Sequence, residues 1–201
     1  MKTEWKYRFL TRFGLIGFGM IRENKVKVLM IIGSASIGSS NKSLMDVFCR
    51  QTAEDYDFMI LEDLHTLPHF DPAMIDSVPA EIADVLSKIE MAKGVVFCTP
   101  EYIFSIPARL KNLLEWCVAT TIFMDKPVGI ITASASGVQG HEQLKLILNT
   151  LGAKMNEDAQ LLINGIKSKF DNQGQLLDLS IIQQLMQFAG GFKMLLEESD
   201  N

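Results

Sequence analysis

Five short apolar runs, separated by segments of helical periodicity, set the tightest limit on the folds open to this chain. They are Val26–Ile32, Tyr56–Leu61, Gly94–Thr99, Pro127–Ala133 and Ala159–Ile163, rich in Val, Ile, Leu or Phe and bounded by Gly, Pro, Ser or Asp. Apolar runs of roughly four to eight residues with such borders are buried strands rather than helices. Between them, Ile82, Val85, Leu86 and Ile89 recur at i, i+3, i+4 and i+7, and Ile106, Leu110, Leu113, Leu114 and Cys117 repeat the stripe. Both segments are amphipathic helices with one buried face. Ser40–Thr52 and Gly140–Leu151 read as two more, and Leu179, Ile182, Leu185, Met186 and Ala189 mark a last one. Near-continuous apolar strands alternating with helices are the pattern of a parallel sheet covered on both faces. The chain has 201 residues, 48% of them hydrophobic, enough for one α/β domain with a sizeable core.

That domain is expected over residues 25–196, followed by a charged tail, Glu197–Asn201. Ahead of it, Lys2, Lys6, Arg8 and Arg12 precede the apolar stretch Gly14–Ile21, loosely like a signal or transit peptide but without a small-x-small cleavage pattern. Residues 1–24 therefore read as an N-terminal extension, disordered or lying upstream of a true start at Met20; an amphipathic appendage and a targeting segment are the alternatives.

Charge and composition exclude several function classes. A net charge of −5 removes the general attraction to nucleic acid and to anionic membranes, and neither is expected as a partner. No apolar run approaches the roughly 18 residues that a membrane helix needs. Cys49, Cys98 and Cys117 lack the density and the paired spacing of a disulfide framework or zinc site, which predicts a cytoplasmic protein. His65, His69 and Asp71 approach a ligand spacing, but Pro68 denies them a shared helix, and no metal site is expected.

In an open parallel sheet, ligands bind beyond the carboxyl ends of the strands. The loop after the first strand, Gly33-Ser34-Ala35-Ser36-Ile37-Gly38-Ser39-Ser40-Asn41, runs straight into a helix. Small hydroxyl residues before a helix N-terminus offer free N–H groups and a positive dipole end, suited to a phosphate. Ser39 stands where a nucleoside-triphosphate loop requires Lys, so a terminal monophosphate fits better; a plain βα turn capped by Ser40 or Asn41 is the alternative. After the third strand comes Thr99-Pro100-Glu101-Tyr102-Ile103-Phe104-Ser105-Ile106-Pro107, leading to Leu110-Lys111-Asn112 and Trp116. After the fourth comes Ala133-Ser134-Ala135-Ser136-Gly137-Val138-Gln139-Gly140.

These three segments resemble the NADPH-dependent FMN reductase family, which includes quinone, azo-dye and chromate reductases. The family pattern is Gly-Ser-x-Arg-x-x-Ser-x-Asn, then Pro-Glu-Tyr-Asn-x-Ser-x-Pro running into Leu-Lys-Asn and an aromatic, then a Ser/Gly-rich loop. The resemblance implies a flavodoxin-like three-layer sandwich whose five-stranded parallel sheet has the order 2-1-3-4-5. It also implies bound FMN, NADPH or NADH as co-substrate, a quinone, flavin or similar small-molecule electron acceptor, and a homodimer or homotetramer. Carried over by position, Ser34, Ser36, Ser39, Ser40 and Asn41 would hold the FMN phosphate. Pro100, Glu101, Tyr102 and Ile103 would line the isoalloxazine, and Ser134, Ser136 and Gly137 would close its other side.

Two departures bear on that reading. Ser36 occupies the Arg position, removing a charge-assisted contact worth roughly 1.5–3 kcal/mol, so weaker cofactor binding or altered NADPH preference is expected. Ile103 and Phe104 replace Asn and usually Gly, which would change the ring's surroundings and its potential. No side-chain acid, base or nucleophile is needed for hydride transfer to a flavin, and no catalytic residue is assigned. Cys98 reads as an inert core thiol and His141 as a surface histidine. Tyr102 reads either as a cover on the ring or as a subunit contact, Glu101 and Lys111 either as an ion pair that shapes the loop or a dimer interface or as two solvated charges, and Leu113, Trp116 and Cys117 as an apolar patch for a second subunit. The competing function is a flavodoxin-like electron carrier, or a partner-binding module with weak or lost flavin binding.

Overall fold

The computed structural model of the protein describes residues 25–36, 38–171 and 173–199. The expected N-terminal extension lies outside the described residues. Strands β1 (Val26–Ile32), β2 (Tyr56–Leu61), β3 (Gly94–Thr99), β4 (Val128–Ser134) and β5 (Gln160–Asn164) form one sheet in the order β2-β1-β3-β4-β5. Every pairing is parallel, with Val28 opposite Phe58 on one side of β1 and opposite Gly94 on the other. Parallel neighbours need crossovers, supplied by helices α1 (Ser40–Gln51), α2 (Ala80–Met91), α3 (Ala108–Cys117) and α4 (Val138–Thr150), with α5 (Ser180–Glu198) closing the chain.

Alternation along the strands divides the core in two. Val28, Met30, Ile32, Val96, Cys98 and Ile131 pack on Leu44 and Phe48 of α1 and on Leu185, Phe188 and Phe192 of α5. Leu29, Ile31, Val95, Phe97 and Ile130 face the opposite way, onto Ile82 and Val85 of α2, Leu110 and Leu113 of α3, and Leu144 of α4. Residues one apart in a strand face opposite sides, so each strand serves both layers and reads as continuously apolar.

Boundaries differ from the sequence expectation for local reasons. α3 begins at Ala108 rather than Ile106, because Pro107 bars the residue before it from helical geometry. Pro127 makes only an isolated bridge to Lys154, and β4 starts one residue later. α5 runs on through Glu198, so the first residues of the expected tail are helical. Leu113, Trp116 and Cys117 are buried inside their own domain, and the subunit patch expected there does not exist. Trp116 Nε1–H and Asn112 Nδ2–H both donate to Pro68 O, at 2.9 and 3.0 Å, and the Phe70 N–H donates to Asn112 Oδ1 at 2.8 Å. The Leu-Lys-Asn segment thus fastens the loop after β2 to α3.

Candidate active site

The loop after β1 starts under tight constraint. Gly33 N–H donates to Cys98 O at 2.8 Å, and a Cβ at Gly33 would lie 2.6 Å from Thr99 Oγ1, so only glycine lets the chain leave β1 so close to β3. Ser39 then caps α1, its Oγ accepting the Lys42 N–H at 3.2 Å. The other first-turn N–H groups of a helix have no intrahelical partner, an arrangement that favours an anion. Asn41 sits beneath this surface and acts as a strut: Nδ2–H donates to Ala133 O at 3.1 Å, and Oδ1 accepts the Cys98 thiol at 3.3 Å. Cys98 is fully buried and its thiol is pushed far above its ordinary value, so it offers no nucleophile.

The loop after β3 is a small hairpin. Tyr102 and Ser105 exchange both backbone hydrogen bonds, at 2.8 and 3.1 Å, leaving Ile103 (φ +50°) and Phe104 (φ +56°) as a two-residue turn in left-handed geometry. Such turns require φ > 0 at both central positions and favour Asn-Gly. The two side chains are held out to solvent, 94% and 76% exposed. Behind the turn, Gln143 Oε1 accepts Ser105 Oγ–H at 2.7 Å and Ile106 N–H at 2.9 Å, while Glu101 Oε2 accepts the Gly140 N–H at 2.8 Å. The hairpin is therefore bolted to the first turns of α4. The expected Glu101–Lys111 pair does not form; Lys111 pairs with Glu115 at 2.7 Å.

Tyr102 reaches back across the loop after β1. Partial burial pushes its phenol up, but hydrogen bonds with Ser34, Ser36 and the Ala35 backbone, with the charge of Lys167, outweigh that and leave it below its ordinary value. Ser134, at the end of β4, donates its hydroxyl to Glu101 O at 3.3 Å. His141, expected at the surface, is buried, with Nδ1 2.8 Å from Thr132 Oγ1; burial holds its imidazole below the ordinary range.

A fourth loop, after β5, completes the site and was not anticipated from sequence. Gly165 N–H donates to Ala135 O at 3.3 Å, and the short 3-10 helix Ile166–Lys169 brings Lys167, Ser168 and Phe170 to the cleft. The signal for it was the strand order: β5 lies beside β4, so its exit loop flanks any ligand over β4. The four loops enclose a cleft of about 790 Å³. Ser34, Ser36, Ser39, Ser40, Asn41, Pro100, Glu101, Tyr102 and Ser134 line it; Ile103, Ser136 and Gly137 do not. Across the loop after β1 lies a second cleft of about 630 Å³, with Lys42, Glu62, Asp63, His65 and Arg109.

The family model for NADPH-dependent FMN reductases matches residues 26–167, from the first residue of β1 into the loop after β5. The chain belongs to the NADPH-dependent FMN reductase family. Within and around that family, it is 38% identical over 128 residues to the NADH:(hydroxy)cinnamate reductase subunit CrdA of Vibrio ruber, covering 61% of this chain and 62% of that protein. It is 29% identical over 120 residues to the quinone reductase of Escherichia coli K12, covering 58% and 63% respectively. The chain thus spans a little under two thirds of the length of these curated relatives. The flavoenzyme NAD(P)H:(acceptor) oxidoreductase FerB from Paracoccus denitrificans has the same fold, with a TM-score of 0.77 at 23% identity over 87% of this chain and 98% of FerB.

Proposed function

We propose that the protein is an FMN-dependent NAD(P)H oxidoreductase that passes electrons from a nicotinamide, through bound FMN, to a quinone, flavin or similar small acceptor. The observation that carries this is the single cleft joining a phosphate-type loop to the loops after β3, β4 and β5. Its roughly 790 Å³ falls within the range of cofactor pockets. The donor set fits the group: hydroxyls and helix N–H groups at one end suit a phosphate, and Tyr102 with the backbone around Pro100 and Ser134 offers a mixed apolar and polar wall for a ring.

Bound there, FMN would supply hydride acceptance and two-electron release, chemistry that belongs to the cofactor. The chain's own residues bind and orient. Ser34, Ser36, Ser39 and Ser40 would hold the phosphate, and Asn41 would keep the loop in place through Ala133 and Cys98. Pro100, Glu101, Tyr102 and Ser134 would flank the ring, with Glu101 fixing the hairpin on α4 rather than touching the reacting atoms. A rigid wall of this kind accelerates the reaction by orientation. Homodimer or homotetramer assembly is part of the proposal, through the Ile103–Phe104 tip, where apolar side chains stand in solvent beside the cleft. A cytoplasmic setting is supported by three free cysteines.

The test is the visible spectrum of the purified protein with FMN, before and after anaerobic NADPH and then NADH. A bound flavin band that bleaches supports the reading and gives the donor preference; the absence of a bound flavin overturns it. A second reading, an NADH-oxidising component serving a partner protein, is favoured by the relative named as one subunit of a reductase. It predicts bleaching by NADH without steady-state reduction of a free benzoquinone.

A further inference from the structure

We propose that Lys167, on the loop after β5, supplies the cation for the cofactor's phosphate. This rests on the FMN reading above and assigns a residue to it from outside the loop after β1. That loop, Gly33 to Asn41, contains no Lys or Arg, so a phosphate there would meet only hydroxyls and N–H groups.

Lys167 is the one cationic side chain lining the cleft among the described residues. The two carboxylates lining it are engaged elsewhere: Glu101 accepts the Gly140 N–H, and Asp171 Oδ1 accepts the N–H groups of Gln173 and Gln175, each at 2.8 Å. The position of the loop decides which end of the cleft Lys167 serves. Ile166 and Phe170 pack in the core layer that holds Leu44 and Phe48 of α1, and a Cβ at Gly174 would lie 3.4 Å from Ser43 Oγ. The loop therefore sits over the start of α1, the phosphate end. Ser34, Ser36, Ser39 and Lys167 line the same cleft. Arg109 is the other cation near the loop, reaching Ala35 O at 3.5 Å, but it lines the second cleft with Glu62 and Asp63.

A cation at that end of the cleft discriminates by charge: it favours FMN and is indifferent to riboflavin, which has the same ring and no phosphate. The measurement is the Kd of each flavin by fluorescence quenching with full-length wild type, Lys167→Gln, Lys167→Arg and Arg109→Gln. Lys167→Gln should weaken FMN on the order of tenfold or more, leave riboflavin unchanged and reduce the salt dependence of FMN binding, with Lys167→Arg close to wild type. An unchanged FMN affinity in Lys167→Gln, an equal loss for both flavins, or a selective FMN loss in Arg109→Gln instead would each overturn the assignment. Wild type that binds neither flavin removes the FMN reading and the role of Lys167 with it.

Discussion

The Glu101 carboxylate accepts the backbone N–H of Gly140 at 2.8 Å, tying the loop after β3 to the first turn of α4. α4 has Gly137 at its N-cap and no side-chain cap of its own, so the contact does from another strand end what a local Ser or Asp does elsewhere. A carboxylate there also faces the positive end of the helix. Glu101→Ala should cost about 1–2 kcal/mol in urea denaturation, and Glu101→Gln, which keeps an acceptor, clearly less. Equal losses in the two variants would mean that side-chain packing, rather than the cap, is what Glu101 contributes.

The turn at Ile103 and Phe104 holds two L-residues, one β-branched, in a backbone region that costs them roughly 1–2 kcal/mol each. Neither side chain is buried to offset this, since both are solvent-exposed. The double variant Ile103→Asn, Phe104→Gly places the favoured residues of such a turn at these positions. At protein concentrations low enough to keep wild type monomeric, it should be more stable by about 1–2 kcal/mol. If the tip carries the proposed assembly, wild type should associate at high concentration and the variant should stay monomeric by light scattering. A variant that is less stable, or that associates like wild type, would refute the role given to the tip.

The strand count, the helices and the loops that meet at the cleft were legible because each rests on a local pattern. Apolar runs of strand length and 3.6-residue stripes report burial directly. Side-chain partners were less accessible. Glu101 and Lys111 looked like an ion pair in a segment where only long-range geometry reveals that Gly140 takes the carboxylate. His141 follows a Gly/Ser loop and reads as exposed, yet the start of α4 turns it inward against Thr132. Trp116 and Leu113 carried an apolar stripe that could equally face a partner or the sheet, and here the sheet claims it. The loop after β5 has no motif at all, and only the position of its strand brings Lys167 to the site.

The last helix shows the same limit at a glycine pair. The apolar stripe that marks α5 in the sequence, Leu179 to Ala189, is followed by Gly190-Gly191, a pair that weakens a helical pattern. The helix nevertheless continues for two more turns, burying Phe192, Leu195 and Leu196. A Cβ at Gly191 would lie 2.4 Å from the Asp158 backbone, so this glycine lets α5 pass close against the segment that leads into β5. Gly191→Ala gains helix propensity but forces the two backbones apart; a net loss of about 1–3 kcal/mol is expected. Gly190, with open space around it, provides the control, and Gly190→Ala should be neutral or stabilising. Equal responses at the two positions would contradict the close approach.

His141 gives the fold a pH dependence with a definite sign. Burial is the largest cause of its lowered pKa, the nearby Lys145 charge adds to it, and Glu142 and a hydrogen bond with Gln160 oppose it. The unfolded chain takes up a proton near the ordinary value of 6.5, whereas the folded protein resists until a lower pH. The stability associated with the neutral imidazole is therefore complete above about pH 6.5 and is lost as pH falls toward the lower folded value. Lys145 pairs with Glu142 at 3.1 Å on the same helix, so their mutual charge keeps the window from being set by either alone. Chemical denaturation from pH 7.5 to 5 should show wild type losing stability below about 6.5 and His141→Gln following a flatter curve. Parallel curves for the two proteins would place the acid sensitivity in other groups.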